Sequence, residues 1–346
     1  MKGSSALADV VIGPHSVLTE WVFETTSRLA ALEPQRPLFY KTDRFDSIDF
    51  LASPRPICLT NYPSRSLIEA IEAGDARVIL VIEDPIDVVR YLQGTLRISV
   101  MEAIRAQTAT AVANLAISRS EHVHYLYRTT ERTVGEIVTR IAEHLNLTPR
   151  GTVPEEMIMA ASCGLGGDAT LEAVLAARGK HYLPPVLDTA GIAIDPAVLT
   201  AAEVIAPLLA MARNDIARPV VWPTAVFTFK DRPDLPPPRT IEIAGPVRDL
   251  YYGPYFHLPP GRYRVEAHLA FSDEIKDVPF VLELHGAAWL ARARIDERRA
   301  GDYRGYFNFN HTDPTVPVEI RLRNERGVSR GRLSLIELLF FNIPSE

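Results

Sequence analysis

Three groups of residues in this 346-residue chain have types and spacings that can do chemistry. The first is Gly13-Pro14-His15-Ser16-Val17-Leu18-Thr19-Glu20-Trp21, which follows the short apolar run Asp9-Val10-Val11-Ile12. A loop that enters a helix offers free backbone N–H groups to a phosphate or sulfate. A working cradle usually adds glycine for close approach and lysine as a point charge. Here Val17 and Leu18 stand inside the loop and no lysine is present. A plain strand–helix turn capped by Ser16 accounts for the same residues. The second group is Glu83-Asp84-Pro85-Ile86-Asp87 with Arg90, just after the apolar run Arg77–Ile82. The third is aromatic: Tyr251, Tyr252, Tyr255, Trp289, Tyr303 and Tyr306, with Asp302, Arg304, Asn308 and Asn310 nearby. Flat rings can lie against the CH faces of a sugar, and planar polar side chains can bind its hydroxyls. Core packing is the competing use of the same rings.

The elements that position these groups follow two periods. Up to about residue 215, short apolar runs alternate with helical patterns. Asp9–Gly13, Pro56–Thr60, Arg77–Ile82 and His122–Tyr127 read as strands. Arg77–Ile82 is apolar on both faces, as in the middle of a parallel sheet. Asp84-Pro85 reads as a helix cap followed by proline in the first turn, and Thr133-Val134-Gly135-Glu136 as a capping box. Residues 150–215 read as helical, with Asp195-Pro196 opening a helix that Pro207 kinks. This predicts an α/β domain over 1–217, a parallel sheet with helices on both faces. Prolines 219, 223, 233 and 236–238 then crowd together, so 218–238 reads as a Pro-rich connection with one strand, Thr224–Phe229. From 239 to 346 the pattern is short strands, Thr240–Ile243, Tyr255–Leu258, Tyr263–Phe271, Phe280–His285, Trp289–Ile295, Tyr303–Phe309, Val318–Arg323 and Leu333–Phe341, which predicts an all-β, jelly-roll-like sandwich.

Composition narrows the function. A net charge of −6 with 23% charged and 47% hydrophobic residues excludes a disordered chain and argues against a nucleic-acid partner, which needs a basic face. No run approaches 18 apolar residues, so no membrane span is expected. Lys2 is the only early cation and Asp9 interrupts the first apolar stretch, unlike a signal peptide. The expected location is the cytoplasm. Cys58 and Cys163 are the only cysteines and lack metal-site spacing, and no metal is expected. His122 and His124 share a strand face without a third ligand nearby. Ser64-Arg65-Ser66 reads as a helix cap, and Cys163-Gly164-Leu165-Gly166-Gly167 as a flexible loop. The basic stretch Arg292 to Arg304 is interspersed with Asp296, Glu297 and Asp302. It reads as a self-paired surface, with an acidic glycan or partner as the alternative.

Over residues 8–148 the order of segments resembles the cytosolic-type, P-loop sulfotransferase family. Its first loop, Pro-Lys-Ser-Gly-Thr-Thr-Trp, is matched by Pro14, His15, Ser16 and Thr19, with Trp21 one place late. Its second strand ends in Lys-Thr-His-Tyr-Pro; here stand Leu59-Thr60-Asn61-Tyr62-Pro63. Its third runs into Arg-Asp-Pro-x-Asp-Val; here stand Glu83-Asp84-Pro85-Ile86-Asp87-Val88. The resemblance implies a site for 3′-phosphoadenosine 5′-phosphosulfate at Pro14, His15, Ser16, Thr19, Glu83 and Arg90, with His15 and Asn61 at catalytic positions. The departures fall on the chemistry. His15 replaces the lysine and is mostly neutral at pH 7 unless perturbed. Asn61 replaces the general-base histidine, a loss typically costing about 10²–10⁴-fold. Glu83 replaces the arginine that clamps a phosphate, leaving Arg90 as a substitute about two turns away.

The stretch Gly253-Pro254-Tyr255-Phe256-His257-Leu258-Pro259-Pro260-Gly261-Arg262-Tyr263-Arg264-Val265 resembles the opening of small β-sandwich modules attached to bacterial surface-polysaccharide proteins. Those modules resemble carbohydrate-binding modules, which implies glycan contact at Tyr251, Tyr252, Trp289, Tyr303 and Arg304. The combined expectation is a catalytically degenerate, sulfotransferase-like accessory protein of bacterial surface-polysaccharide assembly, which binds a glycan or an assembly protein. An active sulfotransferase acting on a glycan is the alternative, and a homo-oligomerising interaction protein the third class.

Overall fold

Runs that are apolar on both faces build a parallel sheet in the first part of this computed structural model. The structure describes residues 8–34, 37–42, 48, 55–118, 120–128, 131–147, 152–179, 200, 203–208, 219–296 and 299–343. Asp195-Pro196, expected to open a helix, lies outside the described residues. The chain divides into two compact units, Met1–Ser99 with Ala113–Ala193, and Val100–Val112 with Ile194–Glu346.

In the first unit the elements run β1 (Ala8–Ile12), α1 (Val17–Ala30), β2 (Phe39–Lys41), β3 (Ile57–Thr60), α2 (Arg65–Glu72), β4 (Ala76–Ile82) and α3 (Pro85–Tyr91). They continue through the end of α4 (Val100–Ile117), whose Val100–Val112 segment belongs to the second unit, then β5 (Val123–Tyr127), α5 (Val134–His144), α6 (Glu155–Ala161) and α7 (Leu171–Gly179). The five strands pair in parallel in the order β2-β3-β1-β4-β5. Alternate residues of the central strands enter different cores, as strand geometry requires. Val11, Ile79 and Val81 meet α1, α5, α6 and α7 on one face. Val10, Ile12, Val78 and Leu80 meet α2 and Ala113 and Ile117 of α4 on the other. Helices therefore cover both faces, as the alternating pattern predicts. Caps start the helices where the sequence places them. Ser16 caps α1, Asp84 accepts from Ile86 N at 2.8 Å at the start of α3, and Thr133 and Glu136 close a capping box on α5. The three-residue β2 carries no readable period, because only Tyr40 of it is even partly buried.

The second unit is antiparallel. Its strands are β6 (Val220–Pro223), β7 (Thr228–Phe229), β8 (Thr240–Glu242), β9 (Asp249–Phe256) and β10 (Gly261–Phe271). They continue with β11 (Phe280–His285), β12 (Trp289–Ile295), β13 (Gly301–His311), β14 (Val318–Asn324) and β15 (Arg332–Ile343). One sheet runs β13-β10-β15-β6, with β8 also on β15, and the other runs β12-β11-β14-β9-β7. Their inner faces meet in one core. Trp222 of one sheet contacts Phe256 of the other edge-on at 5.6 Å, and Phe271 lies 5.4 Å from Phe280. This is the expected sandwich. Residues 220–229, inside the stretch expected as a connection, pair with both sheets. Of the expected strand Tyr255–Leu258 only Tyr255 and Phe256 are strand, at the end of β9, which starts at Asp249. Gly253 and Pro254 sit within that strand. Proline is tolerated there because β7 pairs only with Tyr251 and Tyr252, so at Pro254 only β14 lies alongside.

Candidate functional site

Ligands of parallel α/β sheets bind beyond the carboxyl ends of the strands. The structure gathers the loop after β1, Asn61 after β3, Glu83 after β4 and Arg128 after β5 at that edge of the first unit. Its polar groups are satisfied by one another. Pro14, Ser16 and Thr19 are buried. The Ser16 hydroxyl accepts from Thr19 N at 3.1 Å and donates to Thr19 Oγ1 at 3.2 Å. A Cβ at position 13 would lie 2.5 Å from Thr19 Oγ1 and 2.7 Å from Val81 Cβ. Gly13 thus lets the loop press against its own helix and against the neighbouring β4. Asn61 is buried and donates Nδ2–H to the Gly13 carbonyl at 2.9 Å, tying the end of β3 to the same loop.

His15 lies with its ring centroid 5.3 Å from that of Tyr62. Burial, and then the charge of Lys41, hold its pKa below the ordinary histidine value. It is neutral at pH 7 and does not stand in for a lysine. Glu83 is buried, and that burial pushes its carboxyl up to about 7 against the opposing pull of Arg128. It accepts from Asp84 N at 3.1 Å and pairs with Arg128 Nη2 at 3.4 Å. Arg128 also pairs with Asp87 at 3.1 Å, and Arg90 lies 4.0 Å from the same carboxylate. Arg90, expected as a phosphate clamp, is therefore directed at Asp87. Arg128 escaped the sequence reading. Its signal was position, the residue after the last strand of the sheet, and not a motif.

The remaining first-unit candidates have structural partners. His124 lies 5.3 Å from His144, whose Nε2 is 3.0 Å from the Val78 carbonyl. Burial, with His124 beside it, lowers the His144 pKa to about 4. Among the described residues, no three His, Cys, Asp or Glu side chains are placed to hold a metal ion. The glycine loop after Cys163, expected to be flexible, is pinned. Gly166 N donates to Ser162 Oγ at 3.0 Å, and the Gly167 and Ala169 carbonyls accept from Gly135 N and Val134 N in the first turn of α5.

In the second unit the five expected glycan residues do not form one site. Tyr251 is buried and donates its hydroxyl to the Pro238 carbonyl at 2.8 Å, so it offers no platform. Tyr252 faces the other way, as alternation requires, half-buried with Lys230 Nζ 5.5 Å from its ring. Trp289 is exposed on β12 of the same sheet, but β11 and β14 separate it from β9, about 14 Å at the usual strand spacing. Tyr303 and Arg304 lie on β13 in the other sheet. Tyr303 turns inward, 5.8 Å from buried Phe271, and donates to the Arg299 carbonyl. Arg304 turns outward and lies 3.5 Å from Glu266.

That outward face of β13-β10-β15 carries the aromatic group that sequence reading left among its secondary candidates. Tyr306 is 69% exposed, and the Arg264 guanidinium lies over its ring, 4.4 Å from the centroid. The register places Arg264 between Asn308 and Phe341, and Glu266 between Tyr306 and Leu339. Phe341, Leu339 and, on β6, Val221 are each partly exposed. A short apolar strip thus lies two strands from Tyr306, with Arg264 and Glu266 of β10 between them.

The Gly253–Val265 stretch has another role. Arg105, in the Val100–Val112 segment of the second unit, donates to the Pro254 carbonyl at 2.8 Å and lies 5.2 Å from the Tyr255 ring centroid. The His257 N–H donates to Thr108 Oγ1 at 3.3 Å. Tyr255 has φ +67° and donates its hydroxyl to Glu319 at 2.8 Å. The motif thus holds a helical segment rather than opening a cleft.

No family model matches the chain and no curated protein matches it. Among solved structures it is similar to TmCBM61 in complex with beta-1,4-galactotriose, 12% identical with a TM-score of 0.25, over 30% of this chain and 69% of that one. It is also similar to the carbohydrate-binding module CBM6cm-2 from Cellvibrio mixtus lichenase 5A in complex with cellotriose, 14% identical with a TM-score of 0.22, over 32% and 82%. Eiger TNF from S. frugiperda matches at the same level, 15% identical with a TM-score of 0.21, over 35% and 91%. Likenesses this slight, shared by sugar-bound modules and a TNF, bear on neither ligand nor activity. No described helix is long and apolar enough to cross a membrane.

Proposed function

We propose that this chain is a glycan-binding accessory protein of bacterial surface-polysaccharide assembly, with a first unit that is sulfotransferase-like in layout and altered in its chemistry. The observation that carries the binding role is the outward face of β13-β10-β15, where exposed Tyr306 lies two strands from a partly exposed apolar strip, with Arg264 and Glu266 between them. Aromatic surface left in water on a strand offers stacking area to a ligand. The accessory role draws on the resemblance of the Gly253–Val265 stretch. The altered chemistry draws on neutral His15, on Asn61 bound to the Gly13 carbonyl, and on Glu83 where a cation is needed.

A glycan array with the full chain tests the binding role. Tyr306→Ala is expected to weaken binding about tenfold or more, as truncation of a central aromatic contact does. Binding that survives this change while Trp289→Ala removes it would move the site to the other sheet. The reading of the first unit is tested by thermal shift with adenosine 3′,5′-bisphosphate. A ligand at 100 times its Kd adds about 2.7 kcal/mol. No shift at millimolar concentration is expected, and a clear shift would restore the sulfotransferase reading.

A further inference from the structure

Resting on the glycan reading of the β13-β10-β15 face, we infer that the saccharide held there is anionic, with a carboxylate or sulfate group seated on Arg264 and Arg262. The inference comes from which arginines the fold has already used. Arg292 and Arg294 of the basic stretch, which reads in sequence as self-paired, are spent on carboxylates. Arg292 and Arg294 both pair with Glu325, at 2.6 and 2.7 Å, and Arg294 also reaches Asp296 at 2.9 Å. On the outward face of the other sheet, one end is likewise neutralised. Arg304 lies 3.5 Å from Glu266, and His268 lies 3.7 Å from Glu337.

The other end is different. Arg262 and Arg264 are exposed, and among the described residues neither has a carboxylate within ion-pair distance. Their neighbours across the ladder are neutral. Arg262 faces Asn310 and Ile343, and Arg264 faces Asn308 and Phe341. Asp302, the remaining acid on this face of β13, is four residues from Tyr306, about 13 Å along a strand. Stacking on Tyr306 adds geometry to charge. A guanidinium held over a ring, as Arg264 is 4.4 Å from the Tyr306 centroid, has already lost part of the rotamer freedom that binding would cost it. Its planar fork matches a carboxylate or sulfate bidentately. Asn308 and Asn310 lie where amides can bind the hydroxyls beside the charged substituent.

Matched saccharide pairs test this with the full chain: carboxylated oligosaccharides against their methyl esters, and sulfated ones against their desulfated forms. The acidic member of a pair is expected to bind about tenfold or more tighter, the usual scale for hydrogen bonds to a charged group. The preference should shrink as salt rises. Arg264→Gln should erase the preference while leaving binding of the neutral member. Arg264→Lys should restore it only in part, because lysine keeps the charge and loses the planar fork. The carboxylate and sulfate pairs separate the two sources of anion. Equal binding of both members, lost in Tyr306→Ala, would overturn the anionic inference and leave the glycan reading standing. No binding of any saccharide would overturn both. Polyglutamate binding as tightly as the acidic saccharides would also overturn it, since that is charge without sugar. Both arginine variants are surface changes, and an unchanged melting temperature verifies that they fold.

Discussion

The carboxyl edge of the parallel sheet and the outward face of β13-β10-β15 both bring charged side chains together, and they treat them in opposite ways. At the first, Glu83 and Asp87 share Arg128, Asp87 also faces Arg90, and the loop hydroxyls bond to each other. At the second, Glu266 and Glu337 are paired, and among the described residues Arg262 and Arg264 have no carboxylate within ion-pair distance. A charge already met by its own fold has little to offer a ligand, because the ligand must first replace that partner. The difference teaches that a count of charged residues near a strand end says less about binding than a count of those the fold leaves unmet.

The comparison can be broken or sharpened at three levels. The largest effect tests whether the binding face stands on a sandwich that includes the proline-rich stretch. Trp222 is fully buried, 4.1 Å from Phe340 and 5.6 Å from Phe256. Trp222→Ala is expected to cost the second unit about 3–5 kcal/mol in denaturant unfolding. For the same reason a fragment beginning at 239 should be much less stable than one beginning at 219.

The next test concerns the cost of the buried acid. Glu83 has a carboxyl raised from 4.5 to about 7 in the folded chain. Between those values the folded state holds more proton than the unfolded one, so stability falls as pH rises through this window and levels off above it. Glu83→Gln removes that slope. Relative to the wild type, the variant should gain on the order of 2–3 kcal/mol between pH 5 and pH 8. A parallel pH dependence of the two proteins would mean that Arg128 meets the charge in full. The smallest effect is expected at Arg292 of the basic stretch. Arg292→Ala breaks exposed pairs and should leave the denaturant midpoint and the saccharide affinity unchanged, as isolated surface pairs do. A loss of affinity there would show that the paired arginines also bind ligand.

Much of the architecture was legible in the sequence because it is written in local periods. Phe280–His285 and Trp289–Ile295 are strands with the bounds their alternation predicts. The caps Ser16, Asp84 and Thr133 lie within three residues of the groups they bond. Tyr251 and Tyr252 had to face opposite ways, and the fold chose which is buried. The candidate site was less legible. Arg128 reaches a carboxylate 45 residues earlier, and Arg292 one 33 residues later. The sequence by itself determined the two classes of layer and the starts of α1, α3 and α5. Only the tertiary structure decided which charges are spent, because pairing depends on strand register, and register is set by core packing between segments far apart in the chain. Trp222, buried against residues more than a hundred positions away, and Arg264, set opposite Asn308 rather than an acid, are the two outcomes of that register that no local pattern carries.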